Sequence, residues 1–230
     1  MSLLIKEKQL VIPGETLAKG MDFVPSDGTY RDGDEIVCGQ LGLISVHGRV
    51  LRIIPLAGRY IPREEDVVIG RVVNMSLSSW QIDIGYAYEA NLSLRDASSD
   101  FIERGSDLAK YYDFGDIVTC KVIQVNRAKF VDLTVKGPGL KKLKGGRIIN
   151  ISIAKIPRVI GKQGSMVSLI KQVTGCEITI GQNGRVWISG EPEKEYLAER
   201  SIYLVEREPQ HVGLTDKVKA FLERGGVDGK

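Results

Sequence analysis

The chain is poor in the residues that most often do chemistry. It has two histidines, His47 and His211, and three cysteines, Cys38, Cys120 and Cys176, in 230 residues. No Cys-x-x-Cys pair exists and no histidine lies near a cysteine or the other histidine. That excludes the spacing of a zinc site or a disulfide framework and leaves a His-based triad or metal centre without support. The cysteines read as small buried hydrophobes, the histidines as surface or loop residues. Aromatics make up only 7% of the chain, against 26 glycines, a balance that favours short strands and tight turns over long helices. No apolar run approaches the ~20 residues that span a bilayer. Lysine and glutamate stand near the N-terminus where a secretory signal needs its apolar core. A cytoplasmic protein without membrane contact is expected. Apolar and charged fractions of 43% and 27% lie near the globular averages, and the length allows one to three domains.

Charge is distributed unevenly. Residues 1–62 carry seven Lys/Arg and seven Asp/Glu, residues 63–138 nine and twelve, and residues 139–230 sixteen and ten. Between Asp116 and Glu177 a single acid, Asp132, faces twelve basic residues. Such a window is either a solvated basic face or a surface that tracks phosphates and releases counterions.

Turn signals divide the chain. Pro13-Gly14, Asp27-Gly28, Asp32-Gly33 and His47-Gly48 punctuate residues 1–62, with β-prone runs at 35–38, 43–46 and 49–54 between them. In residues 63–138, strands are expected at 67–74, 80–84, 90–94, 116–125 and 130–135, with a polar, partly helical connection over 96–113. Five strands with a long third-to-fourth connection form the pattern of an OB barrel. Residues 139–146, rich in glycine and lysine, read as a linker. Beyond it the pattern is mixed: strands at 147–153, 176–180 and 185–188, and amphipathic helices at 165–174 and 192–206. The first helix carries Met166, Val167, Leu169, Ile170 and Val173 on one stripe, and a short tail helix is expected near 215–224.

Inside the basic window stands Lys155-Ile156-Pro157-Arg158-Val159-Ile160-Gly161-Lys162-Gln163-Gly164-Ser165-Met166. Two glycines three apart lead into an amphipathic helix. Missing side chains let a sugar-phosphate backbone approach the main chain, the amides of the helix start favour an anion, and Lys162, Arg158 and Lys155 supply charge. With its flanking strand and with Glu177-Ile178-Thr179-Ile180 downstream, this segment resembles a eukaryote-type (type I) KH domain, whose G-x-x-G loop clamps about four nucleotides. Gly70-Arg71-Val72-Val73-Asn74, Ile82-Asp83-Ile84-Gly85 and 115–122 resemble an S1 domain. That family usually carries aromatics or histidine on the outward faces of strands two and three. Here those positions hold Gln81, Asp83, Asn91 and Ser93, with Trp80 inward. Weak, sequence-blind contact through Lys121, Arg127 and Lys129 is the expectation.

Val11-Ile12-Pro13-Gly14-Glu15 and Gly58-Arg59-Tyr60-Ile61-Pro62, leading into Asp66-Val67-Val68-Ile69-Gly70, resemble the N-terminal domain and S1 junction of exosome cap proteins. Glu65-Asp66 stands where that family usually has Gly-Asp. The order resembles the KH-bearing RNA-binding cap subunits of the archaeal exosome. The resemblance implies a multidomain β and α+β fold: an N-terminal β domain that docks on the ring (1–62), an S1-type OB barrel (63–138), a basic linker (139–146), a KH domain (147–206) and a tail (207–230). It implies a non-catalytic subunit that binds single-stranded RNA, three per hexameric phosphorolytic ring, and guides RNA to 3′–5′ degradation and processing, with no metal or cofactor. RNA-binding residues would be Gly161, Lys162, Gln163, Gly164, Arg158, Lys155, Arg147, Lys121, Arg127 and Lys129. Two rivals stand beside this reading. A nuclease needs converging carboxylates, which Asp96, Asp100, Asp107, Asp113 and Asp116 do not form by spacing. A transcription-elongation or translation factor with S1 and KH modules is the other.

The basic window generates a first expectation. Affinity for single-stranded RNA should fall steeply with salt, with a log–log slope near −0.7 per phosphate contacted. Anisotropy titrations across a salt series read the slope, and a flat response would remove the electrostatic account.

Overall fold

Glycine-containing turns break the first sixty residues into short strands. In the computed structural model these are β1 (Ser2–Leu3), β2 (Leu10–Val11), β3 (Thr16–Lys19), β4 (Val24–Pro25), β5 (Thr29–Asp32), β6 (Glu35–Cys38), β7 (Gly42–His47) and β8 (Val50–Pro55). The structure describes residues 2–56, 58–100, 102–103, 105–207 and 213–225. Two four-stranded sheets result, in the orders β1-β3-β6-β5 and β2-β7-β8-β4. Val11, Leu17, Ile36, Ile44 and Leu51, all fully buried, lie in their common core. This first compact unit is Met1–Gly58 and the second is Arg59–Lys230.

The second unit begins with a barrel of β9 (Val67–Met75), β10 (Ser79–Asp83), β11 (Ala90–Ser93), β12 (Ile117–Val125) and β13 (Val131–Thr134). The strand order is β13-β11-β10-β9-β12, closed by pairing of β13 back onto β12. Alternation along β10 turns Trp80 and Ile82 inward, both fully buried, and leaves Gln81 and Asp83 outside. The Trp80 indole N–H donates to the Tyr112 carbonyl at 2.9 Å, and the Tyr112 ring meets it edge-on at 5.3 Å. The long connection before β12 is less helical than its composition predicts, with a 3₁₀ turn at Leu108–Lys110 as the one helical turn among its described residues. Side-chain anchorage holds it instead: Ala97, Ile102, Leu108 and Tyr112 enter the barrel core.

Residues of the expected linker also have structure. Lys142–Leu143 forms β14 and pairs with β12 at Ile117 and Val118. Leu143 is buried with Ile69 and Trp187, Lys142 ion-pairs with Asp116, and Lys141 with Glu177 at 2.5 Å.

The chain continues as β15 (Arg147–Asn150), α1 (Ile156–Ile160), α2 (Ser165–Thr174), β16 (Glu177–Ile180), β17 (Arg185–Ser189), α3 (Pro192–Arg207) and α4 (Leu214–Glu223). The antiparallel sheet β15-β17-β16 packs against the helices. Met166 and Ile170 of α2 enter the core, whereas Val173, assigned to the same stripe by periodicity, is 40% exposed. Val218 and Leu222 of α4 join the core, so the tail helix completes the domain. His211 and Gly226 lie outside the described residues.

The β16–β17 turn, Gly181-Gln182-Asn183-Gly184, plugs into the barrel. Gln182 exchanges bonds with Val67: its N–H donates to the Val67 carbonyl at 2.8 Å and its side-chain oxygen accepts from the Val67 N–H at 3.0 Å. Buried Asn183 donates to the carbonyls of Ile69 (2.8 Å) and Ile84 (2.9 Å) and accepts from the Ile69 N–H (3.2 Å). The Arg185 guanidinium donates to the Asp83 carbonyl and carboxylate, both at 2.6 Å.

Asn183→Ala would leave buried backbone groups without partners, at about 1–3 kcal/mol for each group that water cannot reach. We expect a loss of at least about 2 kcal/mol, read from urea unfolding, with earlier loss of Trp187 burial in its fluorescence. An unchanged midpoint would mean that the joint contributes nothing to stability.

Candidate nucleic-acid interface

α1 ends at Ile160, and its last turn is closed by the Gly161 N–H donating to the Pro157 carbonyl at 3.0 Å. The two glycines of the loop do different work. A Cβ on Gly161 would meet the backbone nitrogen of Met166 at 2.6 Å, so this glycine lets the loop pack on α2. Gly164 has φ +78° and open space where its Cβ would be, so its missing side chain leaves the main chain open to a ligand. Gln163, between them, also has positive φ, at 53°. Lys162, Gln163 and Arg158 are exposed and Lys155 is half-buried. No side chain caps the N-terminus of α2, though the Ser165 N–H donates to the Lys162 carbonyl.

The seven basic residues singled out from the sequence fall into two groups. Lys155, Arg158 and Lys162 around the loop, and Arg127 and Lys129 on the β12–β13 turn, form no ion pair with described residues. Arg147 and Lys121 do. The Arg147 guanidinium donates to Glu199 at 2.7 Å and to Glu195 at 3.3 Å, contacts that hold its pKa above the ordinary value. Arg147 thus ties β15 to α3. The Lys121 ammonium meets Glu65 at 2.7 Å. Glu65 has φ +71°, in the left-handed region that favours glycine, which gives a physical reason for glycine at this place in the cap-protein pattern. The Lys121 pair and the Glu65 N–H bond to the Val122 carbonyl at 2.9 Å offset part of that strain.

Two features escaped the sequence reading. The turn 181–184 read only as a hairpin signal, and nothing local marks Asn183 or Arg185 as a joint. The outward positions of β10 and β11 hold no aromatic, but three aromatics gather beyond the strands: Tyr86 and Tyr88 with ring centroids 6.0 Å apart, and Tyr88 and Phe130 at 6.3 Å. Tyr88 and Phe130 are more than half exposed. A search for loop aromatics near basic residues, rather than for strand alternation alone, would have found them.

Titratable groups suited to catalysis do not gather here. Burial pushes the Cys120 thiol up to about 12, far from thiolate reactivity. Among the described residues, no cluster of three His, Cys, Asp or Glu side chains could hold a metal ion.

Barrel, joint and loop define a class of protein, an S1 domain joined to a type I KH domain. Residues 146–194 match the KH domain family and residues 59–104 match the S1 domain of Rrp4. The exosome complex component Rrp4 of Thermococcus kodakarensis is 45% identical, over 96% of this chain and 87% of that protein. The Rrp4 component of Methanothermus fervidus is 40% identical, over 96% and 98%. A crystal structure described as an exosome complex RNA-binding protein is 32% identical with a TM-score of 0.66, covering 73% of this chain and 97% of that one. The chain belongs to the Rrp4 family of exosome complex components.

Asp83 supplies a pH-dependent prediction. Burial pushes its carboxyl upward, but the Arg185 hydrogen bond and charge, the Gly85 N–H and the Arg71 charge outweigh this and hold it below the ordinary value. A carboxylate depressed in the folded state contributes stability above its unfolded pKa of about 3.9 and loses it as pH falls through the folded value. The difference in urea midpoint between the parent and Asp83→Asn should therefore be constant above about pH 4 and close below it. A gap that persists into strong acid would show that the carboxylate charge does not hold the joint.

Proposed function

We propose that this chain is a non-catalytic, cytoplasmic RNA-binding cap subunit of an exosome. Residues 1–62 dock it on a hexameric phosphorolytic ring, three copies to a ring. The S1 and KH domains (63–138 and 147–206, joined through 139–146) hold single-stranded RNA and guide it to 3′–5′ degradation and processing. The observation that carries this reading is the loop 161–164, with an open main chain at Gly164 and the cations Lys155, Arg158 and Lys162 around it, which form no ion pair with described residues. We assign the clamp to Gly161, Lys162, Gln163 and Gly164 with Lys155 and Arg158, and a second contact to Arg127 and Lys129. Lys121 and Arg147 would contribute only by exchanging their carboxylate partners for phosphate. Membership of the Rrp4 family supports the assembly.

The test is the double variant Lys162→Asp/Gln163→Asp. Both positions are exposed, and aspartate tolerates the left-handed backbone at 163 better than most residues, so the melting temperature should stay where it is. The loop gains negative charge beside the phosphate path. Each lost charge-assisted contact costs about 1.5–3 kcal/mol, and we expect at least a tenfold loss of RNA affinity, about 1.4 kcal/mol. On a reconstituted ring, assembly should be unchanged and decay of long RNA slower, while decay of an oligonucleotide too short to reach the cap proceeds as before. A folded variant that binds RNA like the parent would move the clamp away from this loop.

A further inference from the structure

Phe130 is outward because its neighbours are inward. Val131 and Leu133 of β13 are buried in the barrel, so period-two alternation turns Phe130 to solvent, where it is 59% exposed. The turn that presents it is well tied. Asn126 donates from its N–H to the Phe130 carbonyl at 3.0 Å, accepts the Phe130 N–H on Oδ1 at 2.9 Å, and accepts the Lys129 N–H on its carbonyl at 3.0 Å. Across from it, Tyr88 is 54% exposed, its ring tilted 44° to that of Phe130. Tyr86 is half-buried, packs on the barrel core and supports Tyr88 edge-on. Two exposed rings are thus held in place by the fold.

We propose that this end of the barrel is a base-stacking site for single-stranded RNA, with Tyr88 and Phe130 supporting bases and Arg127 and Lys129 meeting the adjoining phosphates. The proposal rests on the RNA-binding reading above and deepens it. Three observations select this occupant. Arg127 and Lys129, on the same turn as Phe130, have no carboxylate partner among the described residues, whereas the nearby acid Asp132 already accepts from Asn91 at 3.2 Å. Two rings flanked by Glu89, Asn126 and Asp132 are too small and too polar a patch for a stable protein interface, which needs about 800 Å² from each partner. The site is also close in sequence to the KH joint: Asp83 and Ile84 bind Arg185 and Asn183, and Tyr86, which packs on Tyr88, follows two residues later. Aromatic stacking accepts every base, consistent with a guide that passes RNA of any sequence.

The full chain carrying Tyr88→Ala/Phe130→Ala tests this with a fluorescent oligouridylate and the same oligomer bearing abasic sites. The parent should bind the abasic oligomer more weakly than the intact one. The variant should bind the intact oligomer at least about fivefold more weakly than the parent and no longer distinguish the two, since stacking and not charge has been removed. Its salt slope should match the parent's, because no phosphate contact is lost. Tyr88→Phe and Phe130→Tyr should retain affinity, and Phe130→Leu, which keeps the bulk and loses the ring, should not. An affinity within about twofold of the parent, while Lys162→Asp/Gln163→Asp still weakens binding, overturns the stacking site and leaves the RNA reading standing. Intact RNA binding with weakened ring association makes the rings a protein contact and also overturns it. A parent that binds no single-stranded RNA overturns both.

Discussion

One side-chain amide satisfies the backbone where two domains meet. The barrel strand that begins at Val67 has to present peptide groups to something at the joint, and buried peptide groups left without partners are costly. Asn183 offers both donors and an acceptor from one planar group, serving Ile69 twice and Ile84 once. Gln182 does the same for Val67 with one main-chain and one side-chain bond. The hairpin behaves as a further short strand laid against the barrel, and Arg185 fixes its side by gripping Asp83. The placement of the G-x-x-G loop relative to the barrel depends on these few bonds, together with the buried contact of Leu143 with Ile69 and Trp187.

The second organising fact is the sorting of cations. Lys121, Lys141, Lys142, Arg147 and Arg185 each meet a carboxylate of the same chain, and all five lie where strands, linker or helices join. Lys155, Arg158, Lys162, Arg127 and Lys129 meet none among the described residues, and they lie on two turns and a short helix. Exposed ion pairs add little stability, but a paired cation is a poorer partner for phosphate because it must first leave its carboxylate. Counting basic residues along the sequence treats both groups alike; their neighbours distinguish them.

Much of this architecture is legible in the sequence alone. Alternation around Trp80 and Ile82 marked the barrel strands, glycine spacing and the stripe through Met166 and Ile170 marked the KH loop and its helix, and family resemblance supplied the order of units. What was not legible depended on contacts distant in sequence. The ion pairs of Arg147 and Lys121 were not legible because Glu199 and Glu65 lie 52 and 56 residues away. Asn183 looked like an ordinary turn residue because its partners sit 114 and 99 residues earlier. Residues 139–146 looked like a tether because two strand residues are too few to show a period. Val173 fits the helical stripe, yet it stands in the last turn of α2 and is 40% exposed.

That short strand has a consequence for binding. A flexible tether would let the KH loop and the barrel end sample many separations, and a strand of RNA bound to one would find the other at the modest effective concentration a tether allows. With Leu143 buried and β14 paired to β12, the separation is set when the chain folds, and the ordering entropy is spent then and not at the moment of capture. If both sites hold RNA as proposed, they would act together only on an RNA long enough to span them. A joint of this kind would let the RNA contacts proposed at Gly164 and at the turn of Arg127 and Lys129 discriminate among RNAs by length.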